Sequence, residues 1–431
     1  MSAAGPGLGG VDADLAAAGL PALPRTAWLA IDLDRLAGNL HAIRASLPAG
    51  VRVEPVVKAD AYGHGAVPVA HALAAAGADG LSVATWDEAL ELRDAGIDLP
   101  ILLLYPAPPA LAAAAAARRI TLTVGDETLL ARTLAVWAWH WREAGVAPAE
   151  RPSLDVQLEV ETGLGRGGIA PDRVPAAAGA LAAARGVRLT GLWSHLGSPA
   201  DAIRSSGQAE RFEATARALA ADGALVRSWH LAASGGLLAG SARPYDAVRP
   251  GLSVYGVIPD ELVVAPDRAG LVSALQPVLS LRARPVRVTV LAAGMGISYG
   301  SAYVTTRPSR IVTLPVGYAD GLHRAWTSRV QALVRGHAVP VVGTVAMDAI
   351  MADVTDVPPP PVTVDDEFVL LGQQGTRTIT AADLARAGTT ISWEVLAGMA
   401  RRLPRVYYAA ARAVGLRTLT EDTGQWRGSG S

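Results

Sequence analysis

One lysine stands among the 38 lysine and arginine residues of this chain: Lys58, in the stretch VVKADAYGHG at 56–65. Lysine and arginine share a charge but not a chemistry. A primary amine can lose its proton and form an imine with a carbonyl, whereas a guanidinium cannot do so at usable pH. A genome drifting toward arginine would stall where imine chemistry is required. Chance survival in a surface ion pair is the competing reading, and composition alone leaves the two even. The place of Lys58, closing the apolar run VRVEPVV and leading into a Tyr/Gly/His loop, favours chemistry.

Other β-rich runs also end in polar residues. Arg166 lies in ETGLGRGG, His195 in WSHLG and Ser234 in LAASGG. In ASGG a hydroxyl and two glycines precede a helix start, an arrangement that presents backbone N–H groups to a phosphate. Ser-Gly-Gly is common in plain turns, so this signal is weak alone. Arg249 and Gly251, in VRPGLSVYG, offer a second cradle. His195 by itself reads more readily as a satisfied core histidine. A phosphate cradle together with one imine-capable lysine suggests pyridoxal 5′-phosphate (PLP), whose aldehyde bonds a lysine.

The elements that must position these residues follow from the rest of the chain. Its 431 residues are 51% hydrophobic and 18% charged, which suits a large folded core, as two or three domains or one barrel with a smaller partner. A net charge of −1 gives no electrostatic reason to expect nucleic acid or an anionic membrane as partner. No cysteine is present, which excludes disulfides, thiolate metal sites and a cysteine nucleophile. The N-terminus lacks a basic start and does not read as a secretory signal. No apolar run is long enough to span a membrane.

Residues 1–25 are rich in Gly, Ala and Pro and read as a flexible arm. Short β-rich runs then end near Val57, Ala84, Tyr105, Val124, Val160, His195 and Leu231, separated by helical stretches such as 66–76, 86–95 and 126–144. That alternation predicts a parallel (β/α)8 TIM-type barrel over 26–275, with the first strand free to join the next domain. From 276 to 418 the texture is β-rich with Pro and Gly turns, predicting a mostly antiparallel β domain. Residues 419–431 read as a disordered tail.

The motifs, in their order along the chain, resemble those of the alanine racemases, PLP enzymes built from a barrel plus a β domain. The resemblance runs from about residue 26 to about 415, and rests on VVKADAYGHG, ETGLGRGG, AVRPGLSVYG, GISYGSAY, LPVGYADG, AMD at 346–348, and WEVL followed by LPRVY. It implies a cytoplasmic homodimer with shared active sites that racemises a small amino acid, most often making D-alanine for cell wall, with no metal. Lys58 would hold PLP and act as base on one face. Tyr299, from the other subunit, would be the base on the opposite face. Arg166 would bond that tyrosine and the substrate carboxylate, and His195 would lie against the PLP ring. Arg249 would face the pyridine nitrogen. Tyr62, Ser234, Gly251 and Leu252 would bind the phosphate. Met347 and Tyr318 would contact the substrate, supported by Asp348.

Three positions depart from the family's usual pattern. Glu159 stands seven residues before Arg166, where many members have a carbamylated lysine, and is read as a built-in anionic replacement paired with that arginine. Arg401 stands where many have a phosphate-binding tyrosine, and Ala233 where an asparagine is frequent. The last two leave serine or a broader specificity open. A PLP-dependent decarboxylase on the same fold is a further alternative, but such enzymes usually use a cysteine, and none is present. A PLP carrier made of the barrel alone would lack the β domain and its tyrosine. A barrel aldolase using Lys58 without PLP would lack the yellow colour of the bound cofactor.

Overall fold

A computed structural model describes residues 10–143, 152–221, 226 and 228–424. The chain divides into two compact units. One comprises residues 37–61 and 69–276; the other comprises the residues up to 36, 62–68 and those from 277 on.

The first unit is a parallel barrel. Strands Leu81–Val83, Ile101–Leu103, Ile120–Val124, Leu154–Glu159, Val187–Trp193 and Trp229–His230 pair side by side, all parallel. Arg52–Val53 pairs in parallel with Ala247–Val248. Two single parallel bridges, Val56 with Ser82 and Ala233 with Arg249, close the eight strands into a ring. The eighth strand is only two residues long, so its pattern was too short to read from sequence. Both faces of Leu81–Val83 and Ile101–Leu103 are buried. Such strands, covered by helices on one side and a packed lumen on the other, are written as apolar runs without alternation. The helices between them include Trp86–Asp94, Glu127–Glu143 and Ala202–Ala221.

The second unit is a twelve-stranded sheet. Its strand Ala27–Asp32 lies antiparallel to Leu279–Ala283 and parallel to Arg405–Ala409. The first strand of the chain therefore belongs to the β unit. Leu279–Ala283 alternates between buried and half-buried residues, as a strand with one covered face must. Where composition suggested a loose arm, residues 11–17 form a helix. Its Val11 and Leu15, one turn apart, pack against Trp28, Val406, Ala413 and Leu416. Apolar side chains at helical spacing outweigh the Gly and Ala around them. Asp422–Gly424 adds a short strand in what read as tail, whereas residues 1–9 and 425–431 lie outside the described residues.

Candidate active site

Each polar residue singled out in the barrel lies just past the C-terminal end of a strand, the rim where parallel barrels gather functional groups. Lys58 follows Arg52–Val53, Arg166 follows Leu154–Glu159, and His195 follows Val187–Trp193. Ser234 follows Trp229–His230, and Arg249 directly ends Ala247–Val248. Burial and the neighbouring Arg166 lower the pKa of the Lys58 amine, and Glu88 opposes that shift. The amine is thereby eased toward the neutral, nucleophilic form.

His195 is pushed down to about 3, first by burial and then by Arg249, Arg166 and Lys58. Three cations around one imidazole leave it neutral across the physiological range.

Arg249 is almost fully buried and charged, so its donors must be met. Its guanidinium donates to the Ser194 carbonyl at 2.7 Å and the His230 carbonyl at 3.0 Å, and it stacks over the Trp193 ring. It also donates to His230 Nδ1. The other ring nitrogen of His230, Nε2, donates to Gln157 Oε1 at 2.7 Å, which fixes the tautomer that leaves Nδ1 an acceptor. The sequence reading passed over His230 and Gln157. The available signal was that His230 closes a β-rich run, as His195 does. Gln157 shares a strand face with Glu159 by even spacing.

Glu159 is buried and contacts Arg166 through one oxygen at 3.4 Å, while the arginine side chain is 40% exposed. Burial raises the Glu159 pKa against the opposing pull of Arg166 and Arg249. The pair is a single long contact rather than a bidentate one. Gly163 and Gly165 both have positive φ, and their amides donate to Glu161, which shapes the turn that returns Arg166 toward the strand end. Tyr105, also unanticipated, lies under the Arg166 guanidinium at 5.4 Å.

Ser234 Oγ accepts from the amides of Gly251 at 2.9 Å and Ser253 at 3.1 Å, and from the Ser253 hydroxyl at 2.9 Å. The loop holding Gly251 and Leu252 is thus tied to the start of the helix Ser234–Leu238.

A second group forms in the β unit. Tyr299 is 75% exposed, Met347 50% and Tyr318 42%, which leaves them available for contact. They are neighbours through the backbone. Ser298 Oγ donates to the Thr344 carbonyl at 2.7 Å, and Thr344 Oγ1 to the Tyr299 carbonyl at 3.0 Å. The amides of Tyr318 and Ala319 donate to the carbonyls of Ala346 and Met347. Beneath them Asp320, with no exposed side-chain surface, pairs with Arg25 and Arg402, and Arg402 also reaches Asp348 at 2.7 Å. Burial opposes ionisation of Asp320, but the two arginines hold its carboxyl below the usual range.

Tyr62 and Arg401 also belong to this second unit. Burial raises the Tyr62 phenol well above its ordinary pKa, and Arg401 is exposed on the turn before Arg405–Ala409. Among the described residues no group of His, Cys, Asp and Glu is arranged to hold a metal. Among the described residues no helix is long and apolar enough to cross a membrane.

A closed parallel barrel with an isolated lysine on its rim, continued by an antiparallel β domain, defines a class of barrel enzymes that work through a lysine. Residues 31–259 match the family model for the alanine racemase N-terminal domain, and residues 278–407 that for the C-terminal domain. The chain is 39% identical over 395 residues to an alanine racemase of Symbiobacterium thermophilum, spanning 89% of this chain and 97% of that protein. It resembles the crystal structure of alanine racemase from Streptomyces coelicolor at a TM-score of 0.78 and 35% identity, over 89% of this chain and 98% of that one. The alanine racemase of Bacillus anthracis with bound L-Ala-P superposes at 0.82 with 29% identity, over 93% and 99%. The chain belongs to the alanine racemase family.

Proposed function

We propose that this chain racemises alanine with PLP held on Lys58. The observation that carries the reading is the setting of Lys58: the sole lysine, on the barrel rim, its amine pKa lowered beside Arg166. The residues present fit the cofactor. Ser234 already accepts three donors, and its own hydrogen has no protein acceptor among the described residues, so it is available to a phosphate oxygen. The Gly251 and Leu252 loop brings backbone N–H groups to the same place. Tyr62 and Arg401 are the further phosphate candidates.

When bound, PLP supplies an aldehyde that joins an amine and an electron sink that acidifies Cα–H. Racemisation then needs a proton removed from one face and another delivered to the opposite face. Two bases on opposite sides are the economical solution. Lys58 Nζ serves one face. Tyr299 of the partner subunit serves the other in a homodimer with shared sites, and its exposure in the single chain supports that assignment. Arg166 meets the substrate carboxylate and hydrogen-bonds that tyrosine. Met347 and Tyr318 of the partner subunit, braced by Asp348 through Arg402, line the substrate. Neutral His195 would lie against the cofactor ring. Arg249, buried and held by the Ser194 and His230 carbonyls, would face the pyridine nitrogen, and because a guanidinium cannot accept a proton it would keep that nitrogen unprotonated and limit side reactions. The enzyme is cytoplasmic and supplies D-alanine for cell wall.

The test is borohydride trapping. Reduction of the yellow protein is expected to fix PLP on the one peptide containing Lys58, and a chiral assay to show turnover of L-Ala above L-Ser. Label confined to the N-terminal amine would refute the assignment.

A further inference from the structure

The turn that presents Lys58 adopts an unfavourable conformation. Ala59, Asp60, Ala61 and Tyr62 have φ of 53°, 54°, 54° and 52°. Four consecutive non-glycine residues are therefore left-handed, a geometry that presses each Cβ against the following carbonyl. Such a stretch persists only where its surroundings over-determine it. At its far end the Ala61 amide donates to the Val57 carbonyl at 2.9 Å. At its near end the hold comes from Glu88, on the helix Trp86–Asp94. Glu88 Oε1 accepts the Ala59 amide at 2.7 Å. Its Oε2 accepts the amides of Ala84 at 2.8 Å and Thr85 at 3.0 Å, just past the strand Leu81–Val83. That strand is itself bonded to the Lys58 strand, through the Val57 amide to the Ser82 carbonyl and the Ser82 amide to the Pro55 carbonyl. One carboxylate thus fastens the first amide of the left-handed turn to the end of the neighbouring barrel strand.

We propose that Glu88 is the positioning residue for Lys58, holding the left-handed turn so that the amine is presented at the barrel rim in the orientation an aldehyde requires. This rests on Lys58 being the cofactor lysine. The charge on Glu88 also acts on the amine, opposing burial and Arg166. The plainer role is local. Glu88 and Thr85 form a capping box at the start of the helix Trp86–Asp94, and that box alone would account for the bond to the Thr85 amide. The Ala84 bond is local as well, but neither accounts for the bond to Ala59, which lies on another segment.

The experiment compares full-length wild type, Glu88→Gln, Thr85→Ala and the double variant Glu88→Gln with Ala59→Gly. Each is loaded with PLP and freed of excess. Loss of the bound chromophore is followed over time, and the adduct on the Lys58 peptide is counted after borohydride. In Glu88→Gln an amide NH2 must face one of the donors, and cofactor loss is expected to quicken about ten- to a hundredfold. Thr85→Ala is expected to retain cofactor as the wild type does. Ala59 is exposed and its side chain is dispensable, and glycine takes positive φ freely, so the double variant is expected to recover most of the loss. A capping role would give no such rescue. If Glu88→Gln is too unstable to purify, Glu88→Asp, which keeps the charge but loses the reach, carries the same comparison. Wild-type retention in the Glu88 variant, equal loss in Thr85→Ala, or absence of rescue would each overturn the proposal. A wild type with no adduct on Lys58 would remove the cofactor assignment and this role with it.

Discussion

Replacing Glu159 with glutamine separates the stability of the site from its action. At 3.4 Å the gross attraction between Glu159 and Arg166 is about 1 kcal/mol with full water screening, and about 5 kcal/mol at an effective dielectric of about 20. The arginine is 40% exposed, so the lower part of that range applies. Against it stands the burial of the carboxylate, and the raised Glu159 pKa shows that burial outweighs the arginines. A carboxyl whose folded pKa is raised disfavours folding above its ordinary pKa, because the folded state must hold a charge it prefers to lose. Breaking a tight buried pair would cost stability as well as turnover. The geometry predicts otherwise: Glu159→Gln leaves the melting temperature within about 2 °C of wild type, or raises it. Turnover follows a different term. Glu159 restrains the guanidinium proposed to meet the substrate carboxylate, and without it kcat/KM is expected to fall about tenfold to a hundredfold, carried mainly by KM. The assays are thermal melts at pH 7 and racemisation kinetics in both directions. Wild-type kcat/KM in Glu159→Gln would refute the reasoning, as would a melting point lowered by about 10 °C. The wild type is expected to be indifferent to bicarbonate, since its anion is permanent, while Glu159→Lys gains activity with it.

Tyr299→Phe is expected to abolish Cα–deuterium exchange from the L-enantiomer far more than from the D-enantiomer, and equal loss from both would contradict two-base action. Mixing inactive Lys58→Arg with inactive Tyr299→Phe is expected to restore part of the activity through heterodimers, and no recovery after verified subunit exchange would argue against a shared site. His195, pushed down to about 3, is expected to show no ring titration between pH 5 and 8 by NMR. Because its folded pKa is depressed, the stability linked to it is complete above the ordinary pKa near 6.5 and is lost as pH falls from there toward 3. A His195 resonance titrating near 6.5 would overturn the cation-ringed picture.

Much of the chemistry was written in residue type. Lys58 is conspicuous because it is the only lysine, and its place after an apolar run follows from strand patterning. The alternation of strands and helices likewise announced a parallel barrel, since strands buried on both faces must be apolar throughout. What the pattern could not convey was pairing. Arg52–Val53 and Ala247–Val248 are too short to carry a period, and only their contact, with the bridges Val56–Ser82 and Ala233–Arg249, closes the ring. The helix at Val11–Ala17 hid in a Gly- and Ala-rich segment because its two anchoring side chains find their partners in strands almost 400 residues away. His230 and Gln157 gained their meaning only when the barrel placed His230 against Arg249 and Gln157 against His230. Glu88 reads in sequence as an ordinary helix cap, a role fixed by residues within one turn of it. Its bond to Ala59 joins segments 29 residues apart, and the left-handed turn it holds has no signature in Ala-Asp-Ala-Tyr. Local propensity can specify a cap, but it cannot specify a backbone conformation that every residue in it disfavours. That conformation is held by contacts from outside it, among them the Glu88 carboxylate on the helix that follows the neighbouring strand.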